Sequence, residues 1–162
     1  MEKTLELIGK FLKGGSELTD KQTDICKWHE LIEECPEIFD LYKLALTHST
    51  YSHNNNNQRL AFLGDAVLKL CIREHLYITK PDGDKGLFTQ VSSVIETDRN
   101  LAKIAIKLGV FDYMYIGNPS LESTNTTVNA EVLEALFGAT YLLFGMEKVE
   151  ELLHMYFFDY AK

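Results

Sequence analysis

The chain has no apolar run approaching the roughly 20 residues that a membrane-spanning helix needs. Its first residues, Met1-Glu2-Lys3-Thr4-Leu5-Glu6, lack the basic-then-apolar order of a secretory signal. The expectation is an intracellular protein, in cytoplasm or nucleus, with no address signal to choose between them. Cysteine is scarce: Cys26, Cys35 and Cys71 match no metal-binding spacing and, being odd in number, cannot all pair. All three read as reduced thiols rather than a disulfide framework, and Cys71, set in an apolar segment, reads as a small core residue. Basic residues are also few, 16 against 24 acidic, giving a net charge of -8. Phosphate contacts supply most of the affinity of ordinary nucleic-acid binders, so this balance argues against tight autonomous binding of nucleic acid. It does not exclude a nucleic-acid enzyme, because metal-holding carboxylates raise the acidic count and bound cations reverse the local field.

Only three prolines interrupt the 162 residues, at Pro36, Pro81 and Pro119, and most of the chain shows helical periodicity. Residues 3–13 read as an amphipathic helix with Leu5, Ile8, Phe11 and Leu12 on one side, closed by Gly14-Gly15. Residues 16–20 read as a connector and residues 20–34 as a second helix, broken by Pro36. Residues 38–49 give a third helix, Asn54 to Asn57 a loop, and Gln58 to Thr79 the longest helix. A turn at Pro81 to Asp84 leads to helical structure within residues 87–108, stopped by Gly109. A loop from Gly117 to about Thr127 precedes two last helices, Val128 to Phe144 and Glu147 to Tyr160. Strict alternation is nowhere sustained. The expected fold is all-α, a single-domain bundle of about seven helices over residues 1–162.

Two segments carry unusual residues. In Gln58-Arg59-Leu60-Ala61-Phe62-Leu63-Gly64-Asp65-Ala66-Val67-Leu68, Gly64-Asp65 interrupts a good helix. Glycine costs about 1 kcal/mol there relative to alanine, and aspartate is a poor interior residue. Glycine permits close approach of another backbone. Asp65 is either a metal ligand or an ordinary exposed or hydrogen-bonded side chain. In the second segment, Glu131 and Glu134 are three residues apart and share a helical face. The stretch from Ala135 to Phe144 has no charge, which indicates a packed helix. Two carboxylates at the rim of such a helix suit Mg²⁺ or Mn²⁺, which take hard oxygen ligands; two solvated glutamates are the plain alternative.

Together these segments resemble the ribonuclease III family. The signature of that family is approximately E-R-L-E-F-L-G-D-A-V-L, and residues 58–68 read Q-R-L-A-F-L-G-D-A-V-L. Its later motif is approximately D-x-x-E-A-L-x-G-A, and residues 131–139 read E-V-L-E-A-L-F-G-A. Leu44-Ala45-Leu46-Thr47-His48-Ser49 is similar to the family's L-L-T-H-x-S, and the region from Gly86 to Gly109 resembles its central helices. The likeness covers roughly residues 38–155, with residues 1–20 as an N-terminal flanking helix.

The resemblance implies an all-helical, two-fold dimeric domain that cleaves double-stranded RNA by phosphodiester hydrolysis with Mg²⁺, for which Mn²⁺ can substitute, and leaves staggered ends. Asp65 and Glu134 fall on family metal-site positions and would be the catalytic acids. Glu131 keeps the charge of the usual aspartate on a longer stem, so Asp65, Glu131 and Glu134 form the implied ligand set. Ala61 replaces a family glutamate, and Gln58 an acidic residue often found at the start of the signature. Both would neighbour the ligands, a water taking the place of the missing carboxylate and the metal being held more weakly. Phe62 and Leu63, core residues by their pattern alone, would lie at the dimer interface. His48 reads as a packing residue, and the remaining histidines show no pairing that suggests a site. Many family members carry a basic RNA-binding domain after the nuclease. Here either more chain follows, or RNA affinity comes from a partner protein or the dimer groove. The alternative to an active enzyme is a catalytically silent scaffold that binds structured RNA or a ribonucleoprotein.

Overall fold

A computed structural model describes residues 1–13 and 33–158. The expected connector at residues 16–20, most of the helix at 20–34, and Cys26 and His29 lie outside the described residues. Six α-helices are present among those described. They are α1 (Glu2–Leu12), α2 (Pro36–Ala45), α3 (Gln58–Thr79), α4 (Lys85–Ile95), α5 (Asp98–Leu108) and α6 (Thr126–Leu153). A 3₁₀ turn at Val110–Tyr113 follows α5, and a wide π turn at His154–Phe158 follows α6. Within the described residues no helix is long and apolar enough to cross a membrane.

The pair α3 and α6 forms the centre, α5 lies along α6, α2 crosses α6, and α4 covers α3. The sequence explains why α6 is central. Val132, Leu133, Ala135, Leu136, Phe137 and Ala139 are all buried, so this helix is apolar around most of its circumference rather than along one stripe. Aromatic contacts join α1 to it: the Phe11 ring lies edge-on to Phe137 at 5.4 Å and stacks on Tyr156 at 5.6 Å. The Tyr42 hydroxyl on α2 donates to Thr140 Oγ1 at 2.8 Å, while Thr140 donates to the Leu136 carbonyl. A buried phenol is thereby satisfied inside the core.

Helix boundaries follow local chemistry. Asp84, Thr97 and Asn125 cap α4, α5 and α6 by accepting from the backbone N–H three residues on. Gly109 (φ 67°) takes the left-handed conformation that ends α5. Gly145 (φ 79°, ψ -174°) breaks α6 where the sequence separates two helices. One boundary falls short of expectation and one helical region resolves further. The helix expected over 38–49 stops at Ala45, because Tyr115 donates to the Leu46 carbonyl at 2.9 Å and His48 donates to the Tyr115 carbonyl at 3.0 Å. These bonds draw Thr47 into an isolated parallel bridge with Tyr115 and out of the helix. The region 87–108 divides into α4 and α5 at Glu96-Thr97, where Thr97 turns extended and caps α5.

Candidate functional site

The site exists because two backbones touch. A Cβ on Gly64 would sit 1.8 Å from the Glu134 carbonyl oxygen, and one on Gly138 would sit 2.3 Å from the Leu60 carbonyl. Only glycine at both positions lets α3 and α6 cross this closely. The crossing places Asp65, the residue after Gly64, beside the turn of α6 that carries Glu131 and Glu134. The interior Gly-Asp that looks costly for a helix is thus offset by a tertiary contact.

Burial first, then the carboxylates of Asp65, Asp98 and Glu131, push the Glu134 carboxyl up to about 7, with Lys69 opposing. The candidate cluster thus gathers Asp65 and Lys69 from α3, Asp98 from the start of α5, and Glu131 and Glu134 from α6. Lys69 Nζ donates to Asp65 Oδ2 at 2.6 Å, one helical turn away. Further along the same face of α3, Arg73 Nη2 holds Glu96 Oε2 at 3.1 Å. Burial, then the Asp65 charge, raises the Glu96 carboxyl above its ordinary range, against Arg73 and Lys69. The cluster is therefore strongly acidic, partly neutralised by two cations from α3.

Among the described residues no three ligand-type side chains converge closely enough to enclose a cation. The donor chemistry nonetheless suits a hard divalent ion: every anionic group is a carboxylate, and their mutual repulsion, visible at Glu134, is what such an ion relieves.

Of the neighbours expected from the sequence, Ala61 is only 4 % exposed and packs within the core. A water standing where a glutamate side chain would reach is not what this burial provides; the methyl fills packed space. Gln58 is exposed and lines a groove of about 630 Å³ together with Leu41, Leu44, Phe62, Leu63 and Leu142. Phe62 is 83 % exposed and Leu63 half-buried, so of the two alternatives for Phe62 its exposure sets aside a place in the core of the described residues. His48 is buried, and its Nδ1 accepts from the Thr50 backbone N–H at 3.2 Å. Cys71 is buried, with its thiol 3.2 Å from Met146 Sδ.

Sequence reasoning missed Lys69, Glu96 and Asp98. Lys69 carried a signal, its i+4 spacing from Asp65; Glu96 and Asp98 come from another element and carried none. It also missed that His75 and His154 pair, with ring centroids 4.8 Å apart and Phe158 stacked on His75 at 3.8 Å. Burial, then His154 and Lys80, hold the His75 imidazole below its usual range. This second cluster lies ten residues along α3 from Asp65.

Comparison with known proteins places the domain. A family model described as Ribonuclease-III-like matches residues 39–160. Ribonuclease 3 of Thermobifida fusca (strain YX) is 37% identical over 126 residues, covering 73% of this chain and 52% of the relative. Ribonuclease 3 of Borreliella burgdorferi is 34% identical over 142 residues, covering 82% of this chain and 57% of the relative. The chain thus spans about half the length of the curated relatives it matches. Among solved structures, the nuclease domain of ribonuclease III from Campylobacter jejuni aligns with a TM-score of 0.74 at 25% identity, covering 98% of this chain and 97% of that one. A second structure of that domain, concerned with flexibility in its region of dimer formation, aligns with a TM-score of 0.72 at 26% identity and covers 94% of this chain and 98% of that one. Motif, fold and alignment agree, and the chain belongs to the ribonuclease III family.

Proposed function

We propose that residues 1–162 form one ribonuclease III-type domain, an endoribonuclease that hydrolyses double-stranded RNA with a divalent cation, Mg²⁺ or in its place Mn²⁺. The observation that carries this reading is the crossing at Gly64 and Gly138, which brings the acids of α3 and α6 together and drives the Glu134 carboxyl up to about 7. Such a centre is electrostatically incomplete without a cation. Asp65, Glu131 and Glu134 would hold the ion, which when bound would activate water and neutralise charge on the phosphoryl oxygens. Ala61 contributes no ligand, so the ion would have one carboxylate fewer and be held more weakly by Asp65, Glu131 and Glu134. The roles of the protein's own groups follow from where they stand. Asp65 is fixed by a rigid helix, Glu134 is half-buried at the crossing, and Lys69 keeps positive charge against both.

The partners follow from the surface. With Phe62 exposed beside Leu63 and Leu142, an apolar patch lies along the groove that Gln58 lines and suits a second copy related by a two-fold axis. Two copies would set two carboxylate sites along one groove, one per RNA strand, giving staggered ends. Because the chain is acidic, RNA affinity would be modest and salt-dependent, supplied by the groove, the cations or an RNA-binding partner protein.

One observation favours a second reading. Ala61 is packed and Asp65 is already neutralised by Lys69, which is also what a catalytically silent scaffold for structured RNA or a ribonucleoprotein would show. Incubation with a long RNA duplex and Mg²⁺, beside single-stranded RNA of the same sequence, separates the two. Chelator-sensitive cutting of the duplex supports the enzyme; binding of intact duplex with no cutting in Mg²⁺ or Mn²⁺ replaces it with the scaffold.

A further inference from the structure

Glu96 presents a problem that the site as described does not solve. Its side chain is only 12 % exposed, and while Oε2 holds Arg73, Oε1 is buried with no hydrogen-bond partner among the described residues. An orphaned carboxylate oxygen is costly, more so than a neutral one, and calls for a partner. Arg73 already serves the other oxygen. The remaining cation that acts on Glu96 is Lys69. Residues Asp65, Lys69 and Arg73 follow one another at i+4 spacing, so they share one face of α3, and Lys69 stands between the two acids. Its ammonium is attracted by Asp65, Glu96 and Glu134 alike. The Lys69 side chain is 39 % exposed and carries three rotatable donors on a flexible stem.

We propose that Glu96 is a positioning residue whose free oxygen receives the Lys69 ammonium when a divalent cation takes Asp65. In the metal-free protein Lys69 neutralises Asp65. With a cation on that carboxylate, Lys69 is repelled and passes to Glu96 Oε1, which satisfies the buried oxygen and clears the face of Asp65. The exchange is an ion-pair switch, with no bond made or broken. It rests on the reading of Asp65, Glu131 and Glu134 as a cation site, and it explains why this chain keeps a lysine on a catalytic aspartate without losing the site.

Titration of Mn²⁺ into the metal-free protein, with free ion counted by electron paramagnetic resonance, tests the proposal without any activity assay. Wild type is compared with Glu134→Gln, Lys69→Met, Glu96→Gln and the Lys69→Met/Glu96→Gln double variant, each checked by circular dichroism. Binding by wild type that Glu134→Gln removes establishes the site itself; failure there overturns the metal reading, and the proposal with it. Given the site, Lys69→Met should tighten Mn²⁺ and Glu96→Gln should weaken it, each by about two- to fivefold, the range an exposed ion pair is worth. In the Lys69→Met background, Glu96→Gln should leave the Kd nearly unchanged, because no ammonium needs a second berth. Equal weakening in both backgrounds overturns the proposal and makes Glu96 an independent charge or ligand. No effect of Glu96→Gln in either background overturns it as well.

Discussion

Replacing Glu134 by glutamine should stabilise the metal-free protein while abolishing cleavage. The Glu134 carboxyl ordinarily titrates near 4.5 and is pushed to about 7 by burial and by Asp65, Asp98 and Glu131. A carboxyl whose folded-state pKa is raised costs stability above that pKa, and the cost disappears as pH falls through 7 toward the unfolded value. At pH 8 the full cost would be about 3 kcal/mol. The side chain is half-buried and partly screened by solvent, so about half of that, roughly 1.5 kcal/mol, is a fair expectation. Glutamine keeps the shape without the charge. For a chain of this length the gain corresponds to a melting temperature about 3–6 °C higher. Thermal unfolding in chelator-containing buffer at pH 8 and pH 5 is the assay. The variant should be the more stable protein at pH 8, and most of its advantage should be gone at pH 5. An unchanged or lower melting point at pH 8, or an advantage equally large at pH 5, would refute the electrostatic account of the site.

Gly64→Ala should cost at least about 3 kcal/mol by chemical denaturation, since its Cβ would land 1.8 Å from the Glu134 carbonyl and nearby backbone cannot yield cheaply; near-wild-type stability would contradict the contact. Ala61→Glu should lower the stability of the metal-free protein by about 2 kcal/mol or more, because the new carboxylate enters packed space. A divalent cation should restore part of that loss, and an unchanged melting point without metal would mean the place is open after all. Wild type should be a dimer by light scattering at micromolar concentration and Phe62→Asp a folded monomer, since a charge would replace the exposed ring at the centre of the apolar patch. A strictly monomeric wild type would remove the paired-site reading.

What was legible in the sequence was what a single element encodes. The helix Gln58–Thr79 is marked by its own periodicity, the separation of two helices between Phe144 and Glu147 is readable along the chain, and Asp65, Glu131 and Glu134 stand out as candidates by their motif. Gly64 announced a close approach but not its partner; that Gly138 answers it from α6 is a fact about two helices meeting. The same limit explains the misses. The helix ending at Ala45 is cut short by hydrogen bonds to Tyr115, some 70 residues away, which local propensity cannot weigh. Glu96 enters the site from the junction of α4 and α5, and His75 meets His154 across the end of the α3–α6 pair, so neither leaves a pattern along the chain. Phe62 faces outward because that side of its helix has no neighbour among the described residues, a fact of packing that its own apolar pattern does not record.

The most direct test of the central claim is the rate at which a defined RNA duplex is cut in Mg²⁺ by wild type, Asp65→Asn and Glu131→Gln, with product ends mapped on both strands. The account predicts chelator-sensitive cutting by wild type with staggered ends, a loss of at least about a hundredfold in Asp65→Asn, as expected when a charge holding the catalytic cation is removed, and a smaller loss in Glu131→Gln. Full activity in Asp65→Asn, or cutting by wild type that persists in chelator, would contradict it.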